Sequence, residues 1–258
     1  MQTVLFHSTI FGPIHSRRLG TSLGVNLTPN DGKICSFDCL YCEAGFNAQG
    51  TGTTGFAPRA EVARLLEQKL SEMKAAAEPL DVITFSGNGE PTLHPEFEGI
   101  IDDTLKLRDR YYPDAKVSVL SNSTRIASEG VNRALRRVDN NILKLDSAIT
   151  PTMRLIDRPG SPDFTSERVI EQLADFGNNC IIQTMMLRGE HEGQTIDNTT
   201  PKEIDALIEA YRRIKPSSVM LYSIDRRTPA QHLHKIPAEE LNAIADRMRA
   251  AGVNVTVS

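Results

Sequence analysis

Seven short β-rich runs alternate with stretches whose apolar residues recur at helical spacing, and this alternation limits what the 258-residue chain can fold into. The runs fall at 22–27, 81–86, 116–120, 141–145, 180–186, 218–222 and 253–257. Between them, Val62, Leu65, Leu66, Leu70 and Met73 mark a first helix, and Phe97, Ile100, Ile101 and Leu105 a second. A third lies near 128–137, and the sets Val169/Ile170/Leu173/Phe176, Ile204/Leu207/Ile208/Tyr211 and Leu241/Ile244/Met248 mark three more. Thr200-Pro201-Lys202-Glu203 reads as a capping box with proline in the first turn, and Pro58 fits the first turn of the first helix. Regular alternation predicts a parallel sheet with right-handed crossovers, an α/β fold whose buried strands read as nearly continuous apolar runs. A chain of this length suits one barrel-like unit of about 250 residues. With no internal repeat or low-complexity tract, a single domain over 1–258 is expected.

In parallel α/β folds the working site forms at the carboxyl ends of the strands, where loops converge. The polar residues of this chain collect there. Cys35, Cys39 and Cys42 follow the first strand at i, i+4 and i+7. Gly87-Asn88-Gly89-Glu90 follows the second, Ser121-Asn122 the third, Asp146 the fourth, and Tyr222 to Arg227 the sixth. Three soft ligands this close can hold three corners of one metal centre. The residues alone leave three readings open: an iron–sulfur cluster with one unligated iron, a zinc site borrowing a histidine, or a buried helix face. Gly50 to Gly55 reads as a flexible connector, with a lid as the other reading.

Cys35, Cys39, Tyr41 and Cys42 match the signature of the radical S-adenosylmethionine enzymes, and the chain resembles that family. The resemblance implies a (β/α)6 partial TIM barrel, here with an additional C-terminal strand. It also implies a 4Fe-4S cluster on the three cysteines, with S-adenosylmethionine chelating the open iron. In that family an electron from the cluster cleaves the sulfonium and yields a 5′-deoxyadenosyl radical, so a reductant such as flavodoxin or ferredoxin is expected. Tyr41 is the motif aromatic at the cofactor. Gly89 and Glu90 match the end of the family's Gly-Gly-Glu element, which contacts the methionine amino group, while Asn88 stands where the first glycine belongs. Ser121, Asn122 and Asp146 fall where the family holds the nucleoside. The wider pattern, from Phe11 to Gly20 and from Gly89 to Pro95, is similar to iron–sulfur oxidoreductases related to the tRNA wyosine-forming enzyme. That relative carries a second cluster on further cysteines, which this chain lacks, so its tRNA activity is not carried over.

Composition narrows the partners. A net charge of −4 without a long basic block argues against a dedicated nucleic-acid surface and leaves a local patch open. No stretch reaches the ~20 apolar residues of a membrane span, and no signal-length apolar run precedes Arg17 and Arg18. Of four cysteines, three cluster and Cys180 begins an apolar strand as a core residue, which fits a reducing, cytoplasmic setting. Tyr222 and Arg226 are candidates for contact with a small anionic or nucleotide-like substrate across the mouth from the cofactor. Within the enzyme class, tRNA modification would show as salt-sensitive RNA binding, and glycyl-radical activation as a stable protein complex. Outside it, the competing reading is a zinc-binding structural or interaction module.

Overall fold

The computed structural model describes residues 4–16 and 20–258, so Arg17 and Arg18 of the Phe11 to Gly20 pattern lie outside the described residues. Strand β1 (Ile10–Ser16) pairs antiparallel with β2 (Gly20–Val25). From β2 the sheet continues through β3 (Val82–Phe85), β4 (Lys116–Ser121), β5 (Asn140–Lys144), β6 (Ile181–His191), β8 (Ser218–Ser223) and β10 (Val255–Val257), all parallel. These are the seven strands read from the sequence. Among the described residues no ladder joins β1 to β10, so the sheet is an open, partial barrel. No helix among them is long and apolar enough to cross a membrane.

Helices α1 (Arg59–Ala75), α2 (Phe97–Tyr111), α3 (Glu129–Leu135), α5 (Ser166–Ala174), α6 (Pro201–Ile214) and α7 (Ala238–Ala250) are the six expected; α4 (Thr150–Asp157) is additional. Pro58 sits one place before α1, at its N-cap. At α6 the Thr200 hydroxyl accepts from the Glu203 amide at 3.3 Å, as a capping box requires. Its other half is missing, because the Glu203 carboxylate accepts from Ser147 Oγ and Thr152 Oγ1, both at 2.6 Å, and so pins the start of α4.

Three strands escaped the sequence reading. β1 is broken by a register shift between Phe11 and Ile14, where Gly12-Pro13 interrupts any alternating pattern. β7 (Gln194–Asp197) and β9 (Leu233–Lys235) pair antiparallel with the far half of β6, which runs on past the barrel rim. They are short and half-exposed, and no hydrophobic period marks them.

Two cores result. The larger fills the space between sheet and helices, with Leu23, Ile83, Phe85, Val117, Leu143 and Val219 fully or almost fully buried. Cys180 is part of it. The smaller core lies at the carboxyl rim, where Phe37, Cys39, Leu40 and Tyr41 pack on Ile156 of α4, Met185 and Leu187 of β6, and Ile196 of β7. Thus α4 and β7, which the sequence reading lacks, help β6 seat the cysteine loop.

The glycine-rich stretch is a tied connector. Asp31 accepts from the Thr53 amide at 2.9 Å and hydroxyl at 2.6 Å, and from the Thr54 amide at 3.2 Å and hydroxyl at 3.0 Å. These bonds, the Thr53 hydroxyl foremost, hold its carboxyl far below the usual carboxylate range. Asp31→Ala should therefore abolish amide-exchange protection at Thr53 and Thr54 while leaving the melting temperature nearly unchanged. Retained protection in the variant would show that the loop is ordered by other means.

Candidate active site

The loop between β2 and α1 carries the three cysteines and is anchored along its length. Ile34 forms a parallel bridge with Gly89, and the Glu90 amide donates to the Ile34 carbonyl at 3.0 Å. A side chain at Gly89 would lie 1.8 Å from that carbonyl oxygen, so only glycine permits the approach. Further along, Phe37 bridges Pro159, the Asp38 amide donates to the Asp157 carbonyl at 3.0 Å, and the Leu40 amide to the Ile156 carbonyl at 3.0 Å. The end of α4 thus zips the cysteine loop in place. Lys33, 2% exposed, donates to the Gly45 carbonyl at 2.6 Å and lies 3.6 Å from Asp38.

Asn88 is wholly buried and uses its side chain as a staple. Its amide nitrogen donates to the carbonyls of Phe6 and Pro29, each at 2.8 Å, and its oxygen accepts from the Phe6 amide at 2.8 Å. The residue that replaces the family's first glycine therefore binds the N-terminal segment to the loop and leaves Gly89 free to take the close approach.

The expected cofactor residues are brought together, but several are already engaged. Glu90 is 2% exposed. One carboxylate oxygen accepts from the Thr92 amide at 3.1 Å, the Thr92 hydroxyl at 2.5 Å and the Ser121 hydroxyl at 2.9 Å; the other accepts from the Asn122 amide at 2.7 Å. Burial raises its pKa against the pull of those donors. Contact with a methionine ammonium would have to compete with four internal bonds, and Glu90 here ties the end of β3 to the end of β4. Asn122 donates to Ser36 Oγ at 2.9 Å and lies 3.5 Å from Cys35 Sγ, while its oxygen accepts from the Thr124 amide and hydroxyl at 3.0 and 2.8 Å. Its amide orientation is thereby set, with the donor toward the cysteine loop.

Asp146 is fully buried as well. It accepts from Tyr41 Oη, from Lys144 Nζ at 3.1 Å and from the Met185 amide at 2.8 Å. Lys144 also donates to Tyr41 Oη and lies 4.7 Å from the centre of that ring. Asp146 is the hub of a polar cluster beneath the loop. Burial opposes the charge on Lys144, but Asp146 foremost among its neighbours holds the ammonium well above its usual range. Asp157, which lies 3.5 Å from Cys39 Sγ, is driven well up by burial and by the Asp146 charge.

Burial pushes the Cys35 thiol up to about 12 and the Cys39 thiol well above its usual range. Left alone these groups stay protonated; a cationic metal centre supplies the charge that deprotonates coordinating thiols. Among the described residues no three His, Cys, Asp or Glu side chains converge as ligands of a single ion. Three thiols on one loop with no fourth cysteine beside them suit a four-iron cluster, which takes each thiolate on a different iron. The donor set fits the cluster. Cys180 contributes nothing here, its sulfur facing the Gly177 carbonyl at 3.2 Å before the start of β6.

Tyr222 packs against the smaller core and lines a cavity of about 270 Å³ together with Glu43, Met185 and Lys235. Arg226, 64% exposed at its side chain, pairs with Glu43 at 2.5 Å, beside Cys42. Both candidates lie at the cysteine loop. Neither Lys33 nor Asp157 belongs to a sequence motif, and only the two-residue offset of Lys33 from Cys35 offers a signal.

Because Glu90 satisfies four buried donors, Glu90→Ala should cost about 3 kcal/mol of stability in urea unfolding, the penalty for leaving such groups unpaired. A loss under about 0.5 kcal/mol would show that the carboxylate is not a structural tie.

The Radical SAM superfamily model matches residues 30–199. A UPF0026 protein of Synechocystis is 31% identical over 229 residues, covering 86% of this chain and 77% of its own. A Brachyspira hyodysenteriae protein named GTPase Obg is 28% identical over 90% of this chain, but the chain spans only 32% of its length, and 66% of two Helicobacter pylori UPF0026 proteins. Among solved structures, a radical SAM methyltransferase from Sphaerobacter thermophilus superposes with a TM-score of 0.68 at 16% identity, covering 92% of this chain and 65% of that one. TYW1 with a lysine–pyruvate adduct gives 0.60 at 16% identity, covering 90% and 75%. These structures share the partial-barrel fold. With the profile spanning the cysteine loop and most of the barrel, the chain belongs to the radical SAM superfamily of iron–sulfur enzymes, which work with a 4Fe-4S cluster and S-adenosylmethionine.

Proposed function

We propose that Cys35, Cys39 and Cys42 carry the cluster, that S-adenosylmethionine binds over the rim formed by Tyr41, Gly89, Ser121, Asn122 and Asp146, and that the enzyme starts radical chemistry on a small substrate. The observation that carries the reading is the seating of three free thiols, without a fourth, on one anchored loop at the carboxyl rim. When bound, the cluster and S-adenosylmethionine supply a reductively generated 5′-deoxyadenosyl radical. The chain's own residues do the rest. Asn122 donates toward the Cys35 sulfur, a contact that stabilises thiolate charge. Phe37, Leu40 and Tyr41 pack with Cys39, the buried one of the three thiols, while Cys35 and Cys42 stay partly exposed at the rim. Lys144 holds its proton between Tyr41 and Asp146 and so keeps that carboxylate paired beneath the loop. Asp146 reaches a ribose only if that cluster rearranges, so its part in cofactor binding is to position Tyr41 and Lys144.

Tyr222, near the end of β8, lines a cavity with Glu43 of the cysteine loop, and Arg226, in the loop after β8, pairs with that same Glu43, which supports a substrate role. Arg226 already has a carboxylate partner in Glu43, so an anionic substrate would displace that exposed pair at little cost. A reductant of the flavodoxin or ferredoxin type would supply the electron, in a reducing, cytoplasmic setting that keeps the thiols free. The larger core, drawn from Leu23 of β2 through to Val255 of β10, supports reading 1–258 as a single domain.

Cys39→Ala should lose iron and sulfide after anaerobic reconstitution, and Cys180→Ala should retain both. Iron lost from Cys180→Ala would place the centre elsewhere. In the wild type, reduction with S-adenosylmethionine should release 5′-deoxyadenosine. Tyr222→Phe combined with Arg226→Ala should spare that uncoupled release and impair substrate turnover; loss of the uncoupled release would move both residues to the cofactor.

A further inference from the structure

The described arginines are almost all spoken for. Side chains from Arg59 to Arg249 pair with carboxylates, as Arg59 with Asp103 and Arg247 with Asp205, or donate to backbone carbonyls, as Arg136, Arg154 and Arg212 do. Among the described residues Arg125, Arg168 and Arg227 stand apart, with no ion pair or side-chain hydrogen bond. Two of these three line one cavity.

That cavity, about 460 Å³, runs from the loop after β4 to the exposed face of α5. Arg125 and Arg168 border it, Phe164 and Leu93 give it apolar surface, and Ser36, next to Cys35, forms its inner wall. Asp163 is the acidic residue on its lining, so the local balance is positive within an acidic chain. The Phe164 ring is fixed edge-on to Phe37, 5.2 Å between centres, and so offers a set apolar surface. A volume of this order falls within the ~300–1,000 Å³ of small-molecule sites. Guanidinium forks suit phosphate oxygens, and an aromatic wall suits a flat ring.

We propose that this groove binds a phosphate-bearing, nucleotide-like small molecule, with Arg125 and Arg168 on the phosphate and Phe164 and Leu93 against the ring. The site differs from the Tyr222 cavity, where Arg226 is already neutralised by Glu43. It lies on the other flank of the cysteine loop, bordered by Thr124 and Pro159, and involves none of the thiols or the Asp146 cluster. The proposal does not depend on which residues hold the iron.

Calorimetric titration of the full chain with inorganic phosphate, adenosine and adenosine monophosphate tests it. The monophosphate should bind one per chain, phosphate more weakly, and adenosine weakest. The double variant Arg125→Ala/Arg168→Ala should weaken the monophosphate by about tenfold or more, while Arg227→Ala, also exposed and unpaired, should leave it unchanged. Both groove arginines lack intramolecular partners, so the variants should melt with the wild type. Should the double variant misfold, Arg125→Gln and Arg168→Gln taken singly serve in its place, each with weakened binding expected. Saturating S-adenosylmethionine should not displace the monophosphate. Displacement would assign the binding to the cofactor rim, and equal affinity in the arginine variants, or no phosphate binding by the wild type, would overturn the proposal.

Discussion

Where Ile34 crosses Gly89, the two backbones lie too close for any side chain between them, and the course of the cysteine loop follows from that contact. A loop this long between strand and helix is costly to order unless many groups share the ordering. Here the contact fixes one end, the end of α4 and the residues just after it pair with the middle, and apolar side chains on both sides of the loop form a core of their own. Three thiols are thereby held at the rim by contacts within the chain.

Beneath the loop lies a second constraint. Tyr41, Lys144, Asp146 and Asp157 are all largely removed from water, yet they sit within reach of one another and of Cys39. A buried charge pair is weak evidence of stability by itself, but removing one member strands the others. The arrangement links the loop to β5 and β6 through side chains, where the Ile34–Gly89 contact links it to β3 through backbone. Asn198 extends the link, donating to the Asp146 carbonyl at 2.8 Å and the Met185 carbonyl at 2.7 Å. Position and electrostatics of the rim are thus set by the same residues.

The seven parallel strands and six helices were legible because buried strands and amphipathic helices carry strong periods. α4, β7 and β9 were not, since eight residues or fewer on a half-exposed rim leave no period to read, and β1 is interrupted at Gly12-Pro13. The gathering of Cys35, Glu90, Ser121, Asn122 and Asp146 at one rim followed from strand order alone. What each does there did not. The sequence suggests donors and acceptors for a ligand, but Glu90 and Asp146 meet their partners within the chain, and partners distant in sequence, such as Met185, cannot be read from local pattern. Asn88 looked like a lost glycine; it is a buried staple because the glycine that the close approach needs is Gly89.

In the proposed site three cysteines leave one iron open at the rim for S-adenosylmethionine. Mössbauer spectroscopy of anaerobically reconstituted, iron-enriched protein tests it most directly, because it resolves irons in different coordination. The account predicts a four-iron cluster in which one iron alone changes its parameters when S-adenosylmethionine is added. Four irons indifferent to S-adenosylmethionine, or a cluster that forms equally well without Cys35, Cys39 and Cys42, would contradict it.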